Sequence, residues 1–318
     1  MNLAQASSVD DRGAGLLTKI LQVQLLRLAE FRKDTSTHVH MVNKSVSTGT
    51  AARAEGGTLQ KDAQVPSVET KTLQLYSRAI TVDQLRLLDK NLTGTHKGLI
   101  EFYDRQLLSF ATVISKEVAS HMIKGTFANN QMLGLLEFIK DAEAAGQTAR
   151  LGFTAAELAA MNVAAELAIG SVDGQDTFIE FLEEEIAKVP GANALVMNEK
   201  LAARFGRIAR RLGASGETRD NYGRRVETYN GINIIRVPNT DLTNDQPDGV
   251  NNDNTSLFIV RFDETLGVCY STNSGFVFKD FDHLEDAPQG EAVLSIYPSL
   301  TVEQQDAIKR VSQIRFAA

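Results

Sequence analysis

Two stretches in the second half of the chain decide its fold: residues 190–213 read PGANALVMNEKLAARFGRIARRLG, and residues 226–238 read VETYNGINIIRVP. The apolar run Ala194–Met197 predicts a short buried strand, and Asn198 is a good N-cap for a following helix. In the second stretch, polar and apolar residues alternate around Asn230-Gly231, a pair that suits the positive φ angles of a type I′ turn. The sequence therefore predicts a buried strand, a helix and a tight hairpin in that order.

The helix after Asn198 is amphipathic, and an acidic run precedes it in the chain. Charged faces of this kind are most often solvated. The alternative is that they pair across a subunit interface, where opposite charges set register and specificity more than affinity. The predicted inward residues are Leu201, Phe205, Ile208 and Leu212; the outward basic residues are Lys200, Arg204, Arg207 and Arg211; and the acidic run is Glu183, Glu184 and Glu185.

The first 72 residues offer little that could form a core of their own. Residues 1–12 are small and polar, and residues 14–33 place apolar side chains at helical spacing, ending in Arg32-Lys33, which suits a helix C-terminus. Residues 35–72 are rich in Thr, Ser, Gly and Ala and partly alternating, with a turn signal at Glu55-Gly56. This pattern predicts a long two-stranded loop, which must lie on another surface because an isolated hairpin is only marginally stable.

The longest predicted helix spans residues 98–124 and follows a strand within residues 70–85. Apolar residues recur from Ile100 to Met122 at steps of three and four, and Lys124-Gly125 provides a C-terminal stop. Only one face of the helix is apolar, so we expect it to lie across a sheet rather than through a core.

The remaining segments predict short helices and strands. Thr154 and Glu157 form a capping box for a helix to about Gly170, and another helix stops before Pro190. Strands are predicted at 257–262, 267–270, 276–281 and 292–297, and a closing helix from Thr301, with Gln304 completing a second capping box. Because helices and strands are segregated along the chain, the predicted class is α+β.

Composition excludes several classes of protein. The 318 residues carry a net charge of −7, and 43% of them are hydrophobic, which is ordinary for a globular protein. No apolar run approaches the roughly 18–20 residues that cross a membrane, and no basic block marks a nucleic-acid surface. The one cysteine, Cys269, excludes an internal disulfide and is expected to be a buried strand residue.

Signatures of catalysis are missing from the sequence. It contains no nucleophile elbow, no P-loop and no dinucleotide-binding glycine pattern. His38 and His40 share one face of a predicted strand without a third ligand nearby in sequence, and residues 241–254 imitate an EF-hand loop only loosely, with Thr255 where a glutamate belongs. The sequence therefore predicts no catalytic residue, no cofactor and no metal site.

The order of these elements resembles that of the HK97-fold major capsid proteins of tailed bacteriophages. ANALVMNEKLAARF (192–205) resembles the family's strand-Asn-helix pattern, and TRDNYGRRVETYNGINIIRV (218–237) resembles its following hairpin, with Tyr229, Gly231, Ile232 and Ile234 in matching places. SLFIVRFDETLGVCYSTNSGFVFKDF (256–281) resembles the strands that return to the peripheral domain. The resemblance covers residues 70–318 by order of elements and about 190–282 by sequence.

The resemblance implies an HK97-like capsid fold with five parts. They are an N-terminal arm (1–34), an extended β-hairpin E-loop (35–72), a peripheral domain (73–149) with a spine helix (98–124), an axial α/β domain (150–240) and return strands with the C-terminal segment (241–318). The E-loop would lie over a neighbouring subunit, and Lys44 and Lys61 are candidates for covalent cross-links by position. The implied interface residues of the loop are Val42, Lys44, Val46, Arg53, Glu55 and Lys61.

The implied function is self-assembly into hexamers and pentamers of an icosahedral phage head around double-stranded DNA, in the virion, after assembly in the bacterial cytoplasm. Partners would be copies of the chain and separate scaffold, portal and decoration proteins, without sequence-specific DNA binding and without a membrane. Two alternatives stay open. One is an encapsulin-like shell around a cargo enzyme, and the other is a soluble α+β enzyme with an unmarked carboxylate site, which would have a deep pocket with perturbed acids.

Overall fold

A computed structural model describes residues 20, 22–33, 39–42, 67–70, 75–83, 96–126, 131–140, 149–150, 153–165, 167–242, 254–273, 275–281 and 289–316. These residues fall into two compact units. The first unit draws on described residues within 1–36, 73–135 and 270–300, and the second on described residues within 37–72, 136–269 and 301–318.

The described residues form helices and mixed or antiparallel sheets, which gives the α+β class. The helices are α1 (Gln24–Leu28), α2 (His96–Lys124), α3 (Leu135–Lys140), α4 (Ala155–Met161), α5 (Val172–Ala187) and α6 (Glu199–Arg211). The strands are β1 (Phe31–Lys33), β2 (Val39–Val42), β3 (Ser67–Thr70), β4 (Tyr76–Asp83), β5 (Ala149–Arg150), β6 (Phe153–Thr154), β7 (Asn162–Ala164), β8 (Ala194–Asn198), β9 (Ser215–Arg219), β10 (Arg225–Tyr229), β11 (Ile232–Val237), β12 (Asn254–Val260), β13 (Val268–Thr272), β14 (Val277–Phe281), β15 (Gln289–Ile296), β16 (Pro298–Val302) and β17 (Ile308–Arg315).

The long helix α2 dominates the first unit. Its 29 residues give a length of roughly 43 Å at about 1.5 Å per residue. Ile114, Val118 and Met122 are buried on one face, and the helix packs against β4. Strand β4 is one edge of the antiparallel sheet β14-β15-β4. The one-sided apolar pattern of the sequence therefore predicted the helix and its place on a sheet.

Gly125 ends α2 at the predicted position. Its backbone N–H donates to the carbonyl oxygen of His121 at 2.9 Å, and a Cβ atom at Gly125 would lie 2.2 Å from the carbonyl oxygen of Met132. The His121 ring then joins the helix end to β4, with 3.1 Å between its Nδ1 and the Tyr76 hydroxyl, which also accepts a hydrogen bond from the Met132 N–H at 3.0 Å. Only glycine allows the chain to turn this closely.

The prediction of one helix over residues 14–33 is wrong at its C-terminal end. The described helical segment α1 stops at Leu28, and Phe31–Lys33 forms β1, which pairs in parallel with β13 through Phe31 and Tyr270. Phe31 is fully buried, with its ring centroid 5.8 Å from that of Tyr270. Arg32 and Lys33 are therefore strand residues rather than the basic last turn of a helix.

A seven-stranded mixed sheet forms the centre of the second unit. Its order is β7-β17-β12-β8-β11-β10-β9, with β8 parallel to β11 and antiparallel to β12. Every residue of β8 and β12 is buried, as expected for central strands covered on both faces. The segment 254–260 therefore belongs to the same sheet as the hairpin β10–β11. Cys269, on β13, is buried as predicted.

Two predicted helices in this unit are wrong. The helix from Thr154 ends at Met161, and residues 162–164 form β7 beside β17. The closing helix from Thr301 does not form: residues 298–302 are β16, residues 305–307 are a single 3-10 turn, and residues 308–315 are β17, between β7 and β12. Gln304 makes no side-chain capping hydrogen bond. Pairing of β17 with β7 and β12 inside the sheet stabilises the strand more than the capping box would stabilise a helix.

The hairpin turn between β10 and β11 has the predicted backbone. Asn230 has φ of 47° and Gly231 has φ of 84°, both in the left-handed region. Strand β9, which the sequence did not predict, extends this hairpin by pairing antiparallel with β10 from Ser215↔Tyr229 to Arg219↔Arg225.

Replacing Asn230-Gly231 with Ala-Ala is expected to lower the free energy of unfolding by about 2 kcal/mol, because a left-handed backbone is unfavourable for alanine by roughly 1–2 kcal/mol per residue. Gly206→Ala in α6 is the matched control. Its Cβ would meet only an Arg210 nitrogen at 3.8 Å, so we expect this change to stabilise the helix by about 0.5–1 kcal/mol. Urea unfolding measures both. Equal stability of the Ala-Ala variant and the wild type would contradict the turn assignment.

Candidate assembly surface

Helices α5 and α6 lie on the same face of the seven-stranded sheet. Phe178 and Leu182 of α5 and Leu201 and Phe205 of α6 enter one core with the sheet, so the polar sides of both helices face outward. The core residues on this face are Ala165, Ile169, Phe178, Ile179, Leu182, Val189, Leu195, Met197, Leu201, Ala202, Phe205, Ile208, Ala209, Tyr229, Ile234, Leu257, Ile259, Val311, Ile314 and Phe316. Leu212, predicted to point inward, is 47% exposed because it lies at the C-cap of α6.

Asn198 begins α6 as predicted and does more than cap it. Its Oδ1 accepts a hydrogen bond from the Leu201 N–H at 2.7 Å. Its Nδ2 donates to the Thr255 hydroxyl at 2.9 Å and to the Leu242 carbonyl at 3.3 Å. Asn198 is buried, so this one side chain joins the start of α6 to β12 and to the segment after β11.

Glu185, at the end of the acidic run, is a buried residue. Its side chain is 3% exposed and forms ion pairs with Lys188 at 2.5 Å and with Lys309 of β17 at 2.7 Å. Burial acts to raise the pKa of Glu185, but the hydrogen bonds from Lys188 and Lys309 outweigh it and hold that pKa below its usual range. The interpretation of the whole run as a solvated face is wrong at this position.

Glu183, two residues earlier, is exposed and attaches α5 to the hairpin. The Tyr229 hydroxyl donates to its Oε1 at 2.7 Å, and the Asn230 Nδ2 donates to the same oxygen at 3.3 Å. The Tyr229 ring is buried and meets Phe205 edge-on, with ring centroids 5.0 Å apart. Burial of the phenol and its hydrogen bond to Glu183 both raise the pKa of Tyr229.

Stability is expected to fall at alkaline pH through Tyr229. Because its folded-state pKa lies above that of an unfolded tyrosine, the contribution is complete below pH 10 and is lost as the pH rises towards the folded-state value. Tyr229→Phe should lower the free energy of unfolding by about 1–2 kcal/mol at pH 7 and flatten the alkaline decline. Urea unfolding between pH 7 and 11 tests this expectation. An alkaline decline that is unchanged in Tyr229→Phe would exclude Tyr229 as its origin.

The basic side of α6 is partly occupied within its own chain. Arg204 donates from Nη1 to the Phe316 carbonyl oxygen at 2.6 Å and also lies over the Phe316 ring, at 5.2 Å from its centroid. Arg211 forms an ion pair with Asp176 of α5. Arg207 and Glu184 are exposed. The structure therefore gives Glu185, Arg204 and Arg211 partners inside one chain, and their predicted pairing across a subunit interface stays a prediction.

The predicted interface residues of the 35–72 loop are described only in part. Val42 lies at the end of β2, which pairs antiparallel with β3 in the register Val39↔Thr70 and Val42↔Ser67. This pairing is the two-stranded arrangement expected from the sequence. Lys44, Val46, Arg53, Glu55 and Lys61 lie outside the described residues.

The described residues form no cluster of three His, Cys, Asp or Glu side chains that could hold a metal ion. His40 lies on β2, and His38 is outside the described part of the chain, as is most of the loop 241–254. Of the helices in that part, none combines the length and apolarity needed to cross a membrane.

Asp263 and Glu185 are carboxylates of the described residues whose pKa departs clearly from the ordinary range. Asp263 accepts hydrogen bonds from the backbone N–H groups of Leu266 and Thr265 and from the Thr265 hydroxyl, which lower its pKa to about 2 against a partial burial that would raise it. Both pKa values are lowered. A general acid at neutral pH needs a raised one.

Known proteins resemble this chain in fold and not in sequence. No family profile and no curated protein sequence matches it. Among solved structures, the holo-SrpI encapsulin complex from Synechococcus elongatus PCC 7942 matches with a TM-score of 0.58 and 15% identity, over 97% of this chain and 96% of that one.

Two capsid structures match over similar lengths. The capsid of an empty GTA particle matches with a TM-score of 0.54 and 18% identity, over 93% of this chain and 90% of that one. The capsid of the cyanophage P-SCSP1u matches with a TM-score of 0.52 and 11% identity, over 90% and 86%. The HK97-like capsid fold that the sequence resemblance implied is confirmed.

Proposed function

We propose that this chain is the major capsid protein of a tailed bacteriophage, and that its copies assemble into hexamers and pentamers of an icosahedral shell around double-stranded DNA. The observation that supports this proposal best is the extent of the likeness. The capsid chains of the GTA particle and of the cyanophage each cover at least 90% of this chain at TM-scores above 0.5. A net charge of −7 suits a shell that contains DNA without binding it tightly.

In this proposal residues 1–34 are an arm and residues 35–72 an E-loop that lies over the neighbouring subunit through Val42, Lys44, Val46, Arg53, Glu55 and Lys61. The pairing of β2 with β3 supports a two-stranded loop. Helix α2 is the spine of a peripheral domain within 73–149. The axial domain is residues 150–240, and residues 241–318 are the return strands and the C-terminal segment. Because β12 and β17 share a sheet with β8, we propose that these two strands also belong to the axial domain.

The remaining parts of the proposal concern partners and place. Separate scaffold, portal and decoration proteins would act on the shell, which would be assembled in the bacterial cytoplasm and end in the virion. Heterologous contacts that close into rings are the contacts that hexamers and pentamers require. The charged outer sides of α5 and α6, with Glu184 and Arg207 exposed, are candidate contact surfaces.

An encapsulin-like shell around a protein cargo is the second candidate function, because the encapsulin complex covers 97% of this chain at a TM-score of 0.58. The contents of the particles separate the two candidates. Particles purified from the organism that encodes the chain are treated with nuclease, opened and analysed. Nuclease-resistant double-stranded DNA is the expected result, whereas a single cargo enzyme without DNA would establish the encapsulin function and overturn the capsid proposal.

The enzyme alternative has less support. It requires an acid or base tuned towards neutral pH, and the lowered pKa values of Glu185 and Asp263 are explained by lysine partners and backbone amides that hold these carboxylates ionised. Both arrangements favour a structural role for these groups.

A further inference from the structure

The turn between β9 and β10 carries an unusual concentration of positive charge. Residues 219–225, RDNYGRR, contain three arginines and one aspartate in a chain of net charge −7. The backbone of this turn is held in place: Asp220 Oδ1 accepts hydrogen bonds from the N–H groups of Tyr222 and Arg224, both at 2.9 Å, and Gly223 has φ of 73°. We call residues 219–225 the arginine tip, and its charges are displayed from a well-defined turn.

Two arginines of the tip face each other. Arg219 and Arg225 are directly opposite in the antiparallel register of β9 and β10, and both are exposed. Like charges in opposite cross-strand positions are destabilising. Arg225 forms an ion pair with Glu217, with 3.5 Å between the nearest N and O atoms, which offsets part of this repulsion. Arg219 forms no ion pair with any residue that the structure describes. Two arginines in an unfavourable cross-strand position indicate that the pair has a function, because natural sequences break such local rules mainly at functional sites.

The tip lies away from the acidic helix of its own unit. Helix α5 meets the hairpin at the other end of β10, where Glu183 accepts the Tyr229 hydroxyl hydrogen bond. Arg225 is four residues from Tyr229, which corresponds to about 13 Å along the strand. Glu183, the α5 carboxylate that contacts the hairpin, therefore lies at the Tyr229 end of β10, and the arginine tip lies at the opposite end of that strand.

Helix α5 presents an acidic stripe. Asp173, Glu180 and Glu184 are exposed and follow one another at spacings of seven and four residues, which places them on one side of the helix. Val172–Ala187 contains no basic residue. The three carboxylates on this side of α5 are complementary in charge to Arg219 and Arg225, which the pairing of β9 with β10 holds opposite each other.

We propose that the arginine tip of one copy of this chain docks on the acidic stripe of α5 in a second copy. This inference rests on the proposed self-assembly and names the contact that serves it. Because tip and stripe are different surfaces of the same unit, the contact is heterologous, and repetition of such a contact generates a ring where the rotation closes. The charge complementarity favours this partner over a nucleic acid, since the chain as a whole is acidic.

The test is a charge exchange. The double variant Arg219→Glu/Arg225→Glu brings like charges together, so we expect it to raise the protein concentration needed for shell assembly by about tenfold or more. The control Lys116→Glu/Lys279→Glu carries the same change in net charge on exposed residues of the first unit and should assemble as the wild type does. Light scattering and negative-stain electron microscopy report assembly, and circular dichroism verifies that each variant is folded.

The quadruple variant Arg219→Glu/Arg225→Glu/Glu180→Arg/Glu184→Arg restores opposite charges and is expected to recover assembly. A folded quadruple variant no better than the double variant would overturn the inference. So would normal shells from the double variant that hold less nucleic acid, because the tip would then contact phosphates. In both cases wild-type shells keep the proposed function intact, whereas a wild-type chain that forms no shells even with its scaffold protein overturns that function itself.

Discussion

Replacing Glu185 with alanine is expected to lower the free energy of unfolding by about 3 kcal/mol. The change removes a carboxylate whose side chain is 3% exposed and deprives Lys309, itself 15% exposed, of its partner. Loss of one member of a buried ion pair generally costs about 3–5 kcal/mol, because the other charge stays buried without compensation. We take the lower end of that range because Lys188, the other partner, is 54% exposed. Chemical unfolding at pH 7 measures the difference.

Glu184→Ala is the control for this prediction. The neighbouring carboxylate is exposed, so its removal should change stability by no more than about 0.5 kcal/mol. A second comparison uses Lys309→Met with Glu185→Leu, which replaces the pair with apolar groups and should recover much of the loss. If Glu185→Ala and Glu184→Ala are equally mild, Glu185 is not the buried link between α5 and β17 described above.

The same pair predicts a dependence on acid. The folded-state pKa of Glu185 lies below its ordinary value, so its contribution is present above the ordinary pKa of a glutamate and is lost as the pH falls through the folded-state value. The difference in stability between wild type and Glu185→Gln should therefore shrink as the pH is lowered from 7 to 3. A difference that does not change over this range would assign the effect of the mutation to packing.

Replacing Asn198 with alanine is the second change with a large expected effect, about 2–4 kcal/mol. An N-cap residue contributes about 1 kcal/mol. In addition, Asn198 donates to Thr255 and Leu242 inside the protein, and a buried polar group left without its partner costs about 1–3 kcal/mol. The expected loss of stability exceeds that of removing an N-cap alone. Experiment can therefore separate the capping of α6 from the hydrogen bonds that Asn198 donates.

Two further variants separate these roles. Ser171 caps α5 at an exposed position by accepting from the Gly174 N–H at 3.1 Å, so Ser171→Ala should cost only about 1 kcal/mol. Asn198→Ser keeps a capping oxygen and loses the two donated hydrogen bonds, so it should fall between Ser171→Ala and Asn198→Ala. Urea titration of the three variants gives the order. An Asn198→Ala effect no larger than that of Ser171→Ala would contradict the role of Asn198 in joining α6 to β12.

The parts of the fold that the sequence predicted are those set by local chemistry. Asn198 caps a helix because its oxygen reaches an N–H three residues on, and Asn230-Gly231 makes a turn because both residues accept a positive φ. The long helix α2 follows from apolar spacing maintained over many turns. Each of these signals lies within a few residues of the structure it determines.

Strand β17 shows why the rest of the fold could not be predicted. The sequence from Thr301 imitates a capping box, but residues 308–315 enter the sheet between β7 and β12, from distant parts of the chain. A register shift interrupts the pairing with β12, since Thr255 pairs with Ile314 and Leu257 with Val311, and Gln313 near this shift has φ of 60°. At this shift β17 contains one residue more than β12, and this bulge interrupts the alternation of inward and outward side chains by which a strand is recognised in a sequence.

The candidate surface was predicted less well than the fold, because the state of a charge depends on non-local partners. Glu184 and Glu185 are neighbours in an acidic run, yet only Glu185 is buried, through a lysine 124 residues further along the chain. The arginine tip was missed for the same reason. Arg219 faces Arg225 only because β9 pairs with β10, and the exposed sequence of β9, SGETR, has no hydrophobic alternation that would indicate a strand.

Electron microscopy of the purified wild-type chain, expressed alone and separated by gel filtration, tests the central claim most directly. The account predicts closed hollow shells, or sheets of hexamers, eluting in the void volume and dissociating as salt screens their charged contacts. A folded chain that stays a discrete monomer or dimer at every protein concentration, both alone and when co-expressed with its scaffold protein, with no shell or sheet on the grid, would contradict it.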